Sequence, residues 1–322
     1  MESIILTKEN LTLSNCINGF ENYLLHNRKA ISTIEAYVMD LKTFKTFLTT
    51  KLHNKIRYLK DITRVETEQF KDYLKELVEA NILKCNTVYR KFTSLKILFN
   101  YLEYAFCIPN ILKDDPWGHR NKKADYDKEG TNALPSILED EDISLLFKTI
   151  QNSYDKNKFR DYALFSMLFS LGCRRSEALI LKWSDINFLR KEIIIYRPKS
   201  KNKSTLKMSK LLCDALLQYK EVCPPTALYV FKSRQSETLS TSAFNAIINK
   251  WIKKSGLAML KSFNITAHTF RHTFITKCIR QDISLSKIIV YTGHSDATSL
   301  EFYLHLLAKD LEPIADAFNP TF

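Results

Sequence analysis

The sequence predicts a mainly α-helical protein of two domains, the second of which carries one small β-hairpin. Three observations lead there. A chain of 322 residues has the length of about two domains and buries a sizeable core. No proline precedes Pro109, which leaves a long stretch free of the strongest helix breaker. Apolar residues recur at helical spacing on both sides of one polar segment, Lys113 to Ser136, where the pattern collapses.

Taken in order, Ser32-x-x-Glu35 has the form of a capping box, and behind it Ile34, Tyr37, Val38, Leu41, Phe44 and Leu48 form a helical stripe. Thr63-x-x-Glu66 repeats the signal before Phe70, Tyr73, Leu74, Leu77 and Val78. After Asn86 a third stripe runs through Val88, Phe92, Leu95, Leu98, Phe99 and Leu102, with Arg90, Lys91 and Lys96 expected off it. The compact helical part spans 10–112, and the first domain is taken as 1–112. Residues 113–136, polar and carrying two of the eight prolines, are the linker. Residues 137–322 form the second domain. Helical periodicity returns there through Ile143, Leu146, Phe147 and Ile150, and again from Phe159 to Leu171. Its one clear strand signal is Glu192 to Arg197, followed by PKSKNKS and then Thr205 to Met208, which predicts a hairpin. From Arg190 to Lys210 there are eight basic residues and one acid, the densest positive charge in the chain.

Composition narrows the function. Apolar residues make up 45% and charged residues 26%, as in ordinary soluble globular proteins. Six glycines in 322 residues is about 2%, against a usual ~7%, and neither the dinucleotide-binding nor the phosphate-loop glycine motif occurs. The 48 Lys+Arg against 35 Asp+Glu give a net charge of +13, which points to a polyanionic partner, most often nucleic acid. The seven cysteines show no C-x-x-C spacing, so neither a disulfide framework nor a zinc site is expected. Without a signal peptide or a membrane-length apolar run, the expected setting is cytoplasmic and reducing, with no membrane partner.

Three segments could carry chemistry. Gly172-Cys173-Arg174 joins two predicted helices, which sets Arg174 at a helix start, where anions bind well. A surface arginine paired with Glu177 is the plainer use of that residue. His268 and Arg271 lie three apart on one helix face, so two donors point the same way, whereas His272 projects about 100° from Arg271 and reads as a bystander. Gly293-His294 precedes a segment containing Tyr303. In one unbroken helix those nine residues would turn about 900° and separate His294 from Tyr303, but Gly293 and a cap at Ser295 or Asp296 break that continuity.

Together, in this order, these pieces resemble the tyrosine recombinase (phage integrase) family over about half the chain. GCRRSEALILKWSDI is similar to the family's first-arginine motif, HTFRHTFITKCIRQDISLSKIIVYTGH to its His-x-x-Arg and Gly-His motifs, and SLEFYLH to its nucleophile segment. ISTIEAYVMDLKTFKTFL and YRKFTSLKILFNYLEY look like its helical core-binding domain. Gln281 stands where the family commonly has glycine, and Thr292 where it often has leucine before Gly-His. Both are supporting positions.

The resemblance implies a clamp of core-binding and catalytic domains around double-stranded DNA, four protomers in the synaptic complex, no cofactor and no metal. It leaves accessory host factors unspecified. It makes Tyr303 the nucleophile, forming a 3′-phosphotyrosine, with Arg174, Arg271, His268 and His294 as donors to the phosphate. A hairpin lysine serves as general acid to the departing 5′ oxygen, and His268 or another group helps take the tyrosine proton. Lys199, Lys201 and Lys203 alternate and would share one strand face; spacing favours Lys199, leaving Lys201 and Lys203, with Arg90, Lys91 and Lys96, to contact DNA. The expected activity is site-specific recombination, either Xer-type chromosome dimer resolution or mobile-element integration and excision. The absence of a long arm-binding segment ahead of residue 10 leans toward the Xer type. The tail after Tyr303 carries a short apolar stripe, Ile314, Ala315 and Phe318, suited to a helix that packs either within its own domain or, as the resemblance implies, against a neighbouring protomer. The competing readings are a type IB-like topoisomerase, a noncatalytic DNA-binding regulator and a metal-dependent nuclease. The last lacks a carboxylate cluster beside its histidines.

Overall fold

A computed structural model describes residues 7–53, 56–114, 136–198, 200–233, 236–294 and 303. The chain divides into two compact units, Met1–Thr131 and Asn132–Phe322. Most of the predicted linker, Lys199, the expected cap at Ser295 or Asp296, and the tail lie outside the described residues.

The first unit contains helices α1 (Leu13–His26), α2 (Ile31–Thr50), α3 (Arg64–Glu79) and α4 (Cys85–Phe106). The α4 stripe is as predicted: Val88, Phe92, Leu95, Leu98, Phe99 and Leu102 are all buried. At α3 the capping box forms, with Glu66 Oε2 accepting from the Thr63 amide at 2.7 Å. At α2 it does not. That helix starts at Ile31 behind Ala30, inside which Ser32 has no cap to supply.

Lys91 corrects the sequence reading. It is buried, with Nζ 3.1 Å from Asp40 Oδ1 and 2.7 Å from Thr43 Oγ1. Asp40 is itself buried in α2, and a buried carboxylate must be paired. Arg90 and the Ser94 hydroxyl also reach it from α4. Lys91 therefore ties two helices together and is not on the surface, whereas Arg90 keeps an exposed side chain and Lys96 a partly exposed one.

The second unit is built on α6 (Lys158–Leu171), which is buried on nearly every face and packs against α5 (Asp140–Gln151), α8 (Lys210–Val222) and α11 (Ala267–Arg280). A helix apolar all round belongs in a core. Its buried Asp161 is held by Arg160, Lys250 and the Trp251 indole of α9 (Thr241–Lys254). Among the described residues the unit also contains α7 (Arg175–Leu179), α10 (Leu257–Leu260) and α12 (Leu285–Thr292).

One antiparallel sheet, in the order β1-β2-β3, comprises β1 (Ile186–Asn187), β2 (Glu192–Arg197) and β3 (Asn202–Lys207). The return strand begins earlier than predicted, pairing Arg197 with Asn202 and Tyr196 with Lys203. The shared lysine face is corrected at Lys201, which sits in the turn at φ +55°, whereas Lys203 lies on β3.

Candidate active site

The site grows from two helix ends closed by glycine. Gly172 ends α6 in the left-handed conformation at φ +55°, and a Cβ there would lie 2.6 Å from the Phe274 ring. The chain then reverses into α7 with Arg174 as its N-cap. The Arg174 amide donates to Glu177 Oε2 at 2.8 Å and its Nη1 to Oε1 at 3.0 Å. The pairing with Glu177 thus exists, but buried Glu177 belongs to a larger cluster.

That cluster gathers at the C-terminal end of α12. Gly293 closes this helix at φ +64°. The carbonyl of buried Thr292 accepts from Arg174 Nη1 at 3.4 Å, from Arg197 Nη1 at 2.8 Å and from Arg271 Nη2 at 2.8 Å. Arg174 also reaches the Gly293 carbonyl at 3.0 Å, Arg197 the Tyr291 carbonyl at 2.7 Å, and Arg271 the Gly172 carbonyl at 2.9 Å. A helix C-terminus carries about half a negative charge in unsatisfied carbonyls, so it draws guanidinium groups that would otherwise repel. Desolvation first, and then Arg174, pull the Arg271 pKa down to about 10, which leaves it charged at neutral pH. His294 lies beside Arg271, its Nε2 3.0 Å from Arg271 Nη2. His268 sits one turn before Arg271 on α11; desolvation and then Arg271, Arg175 and Arg174 lower its pKa.

Arg174, Arg197, Glu177, Lys203, Gly293 and His294 line an open cleft of about 730 Å³. Its walls carry an excess of fixed positive donors, suited to a phosphate. Among the described residues no group of three or more His, Cys, Asp or Glu could hold a metal ion, and no helix is long and apolar enough to cross a membrane.

Tyr303 does not line this cleft, although Arg271 acts on its hydroxyl. Its ring is buried with Ile275, Ile279 and Ile288 of α11 and α12, and its hydroxyl bonds His272 Nδ1. Burial pushes the Tyr303 pKa up to about 12 and that of His272 down to about 4. The phenol therefore keeps its proton and donates it to a neutral imidazole.

Two sequence matches decide the family. The phage integrase family matches residues 136–310, more than half the chain, and the phage integrase N-terminal SAM-like domain matches residues 17–105.

The chain belongs to the phage integrase family.

Within that family it is similar to a tyrosine recombinase of Pseudothermotoga lettingae, 28% identical over 298 residues, covering 91% of this chain and 94% of that one. It is 24% identical to the tyrosine recombinase XerC of Pediococcus pentosaceus, covering 92% and 95%. The fold is shared with the XerH site-specific recombinase bound to its difH substrate, at TM-score 0.66 and 20% identity over 89% of this chain and 79% of that one. It is also shared with a lambda integrase dimer bound to a COC′ core site, at TM-score 0.66 and 16% identity over 91% and 77%. The protein is a tyrosine recombinase, an enzyme that cleaves and rejoins DNA.

In this recombinase the predicted residues Arg174, Arg271 and His294 come together, His268 stands one turn away, and Lys203 lines the cleft. Tyr303 does not line the cleft. Sequence reasoning passed over two residues. Arg197 ends a strand whose buried positions alternate as Ile193, Ile195, Arg197, so period-two counting alone aims it inward. His272 was set aside for pointing away from Arg271, and that is the direction in which Tyr303 lies.

Proposed function

We propose that this recombinase cleaves at a specific DNA site through Tyr303, held against the scissile phosphate by Arg174, Arg271, His268 and His294, with Lys199 as general acid. The Tyr303 oxygen gives its proton to His268 or another group and forms a bond to phosphorus as the 5′ oxygen leaves, giving a 3′-phosphotyrosine and a free 5′-hydroxyl. Lys199 donates a proton to the leaving oxygen. One phosphodiester replaces another, so the 5′-hydroxyl of a second strand can reverse the step without ATP. The guanidinium groups and His268 and His294 stabilise charge on the nonbridging oxygens.

The observation that carries this reading is the convergence of Arg174, Arg271 and His294 on one helix end beside an open basic cleft. Tyr303 does not line that cleft but lies within the field of Arg271, and its approach to the phosphate is part of this proposal. In place, a phenol raised to about 12 beside an imidazole lowered to about 4 favours the neutral pair over a phenolate–imidazolium pair.

The domains 1–112 and 137–322, joined by 113–136, are proposed to clamp the duplex, with Arg90, Lys96, Lys201 and Lys203 on phosphates. Four protomers would join two duplexes. A lambda integrase tetramer bound to a Holliday junction has a similar fold, at TM-score 0.64, which supports that assembly. Xer-type chromosome dimer resolution and mobile-element integration or excision are the two roles this activity fits. The topoisomerase and noncatalytic readings are not favoured by relatives that are tyrosine recombinases along nine-tenths of this chain.

A nicked suicide substrate run on a denaturing gel tests the reading. Wild-type protein should form a covalent adduct in the presence of a metal chelator, and Tyr303→Phe should bind DNA without forming one. An adduct that needs a divalent ion, or that survives in Tyr303→Phe, overturns it.

A further inference from the structure

We propose that Thr292, the last residue of α12, is a positioning residue that holds His294 as the Nδ1–H tautomer and fixes its ring orientation toward Arg271. The proposal rests on the reading of His294 as part of the phosphate-binding cluster. Thr292 is fully buried, so no water competes for its hydroxyl. A hydroxyl has one hydrogen to donate. Here Oγ1 lies 2.6 Å from the Ile288 carbonyl four residues back and gives its hydrogen there. In its second contact, 2.7 Å from His294 Nδ1, the same oxygen must accept. Nδ1 therefore carries the ring proton.

The other side of the ring agrees independently. His294 Nε2 lies 3.0 Å from Arg271 Nη2, nearer than Nδ1 at 3.4 Å. A guanidinium has only donors, so Nε2 presents a lone pair. Thr292 thus acts through both of its polar ends. Its carbonyl gathers Arg174, Arg197 and Arg271, and its hydroxyl orients the imidazole beside them. A leucine or valine at 292 would keep the carbonyl but face the Nδ1–H with carbon.

Full-length protein labelled with ¹⁵N-histidine reports the tautomer directly by long-range ¹H–¹⁵N correlation, with the His294 signals assigned by their loss in His294→Gln. The wild type should show a protonated-type Nδ1 and a lone-pair-type Nε2. Thr292→Val should lose that pattern and slow cleavage of the nicked substrate, and Thr292→Ser should restore both. Losing the partner that orients a working histidine costs on the order of 10- to 100-fold in metal sites, and a fall of that size is expected here. A protonated Nε2 in the wild type overturns the proposal even if Thr292→Val does not fold. So does a Thr292→Val protein that keeps the Nδ1–H pattern and wild-type cleavage. Wild-type protein that shows the expected tautomer but forms no adduct supports the hydrogen-bond assignment and instead removes the proposed catalytic reading.

Discussion

Replacing Arg197 with methionine keeps the stem and removes the guanidinium from a buried site. The lost bonds are those to Glu177 at 3.2 and 3.3 Å, to the Thr292 carbonyl at 2.8 Å, to the Tyr291 carbonyl at 2.7 Å, to the Val290 carbonyl at 3.5 Å and to Ser204 at 3.2 Å. Removing one partner of a buried ion pair costs about 3–5 kcal/mol, because the other charge is left uncompensated. Glu177 would still hold the Arg174 side chain and amide, so the lower end, about 3 kcal/mol, applies. In a domain of this length each kcal/mol moves Tm by about 2–4 °C, and a fall of about 6–12 °C is expected by calorimetry. Arg197→Lys keeps the charge, but one ammonium cannot span Glu177 and three carbonyls, so it should fall part of the way. In Arg197→Met/Glu177→Gln the stranded carboxylate is gone. That double variant should be less destabilised than the sum of the single changes, by at least about 1 kcal/mol. If Arg197→Met melts within about 1 °C of wild type, or the cycle is additive, Arg197 does not hold this cluster together.

If Lys199 protonates the leaving oxygen, Lys199→Ala should recover cleavage on DNA whose bridging 5′ oxygen is replaced by sulfur, which leaves without a proton; recovery in Lys201→Ala instead moves the role two residues. His272, with a folded pKa near 4 against about 6.5 free, binds its proton more readily in the unfolded chain. The stability from its neutral form is full above about pH 6.5 and is lost as pH falls through about 4. Urea melts at pH 7.5 and 4.5 should therefore show a smaller loss in His272→Gln than in wild type, and equal losses would refute the assignment. Gly293→Ala meets two obstacles. Its φ of +64° costs a residue with a Cβ about 1–2 kcal/mol, and that Cβ would lie 2.3 Å from the Arg197 side chain. Gly293→Asn tolerates the backbone but keeps the clash, so it should slow cleavage as well; full activity in Gly293→Asn would show that the close approach does not matter.

The parts of this fold legible in the sequence are those set by local rules. The α4 stripe, the capping box at Thr63 and the extent of β2 follow from spacing and side-chain chemistry, and the structure contains all three. The failures come from partners that spacing does not reveal. Ser32 and Glu35 have the form of a capping box, yet the helix begins one residue ahead of Ser32. Lys91 reads as a surface charge until Asp40, far away in sequence, is found buried against it. Arg197 carries the parity of an inward residue, but its charge argues for the surface until three helix-end carbonyls and a buried carboxylate are seen to receive it.

Bringing Arg174, Arg197 and Arg271 to one point creates an electrostatic problem before any DNA arrives. One carboxylate, Glu177, contacts two of them, and it is not enough to balance three cations. The remaining compensation comes from α12, whose last carbonyls supply partial negative charge without a titratable group. This choice of partner has a consequence for the proposed chemistry. A second carboxylate would compete with the phosphate for the same guanidinium donors, whereas a carbonyl holds them in place and leaves their net charge in the cleft. The donors are then fixed before the transition state develops its charge, which is the condition under which they stabilise it most. Gly293 completes this arrangement. Its left-handed backbone ends the helix so that the carbonyls face inward, and its missing side chain makes room for Arg197 to reach them.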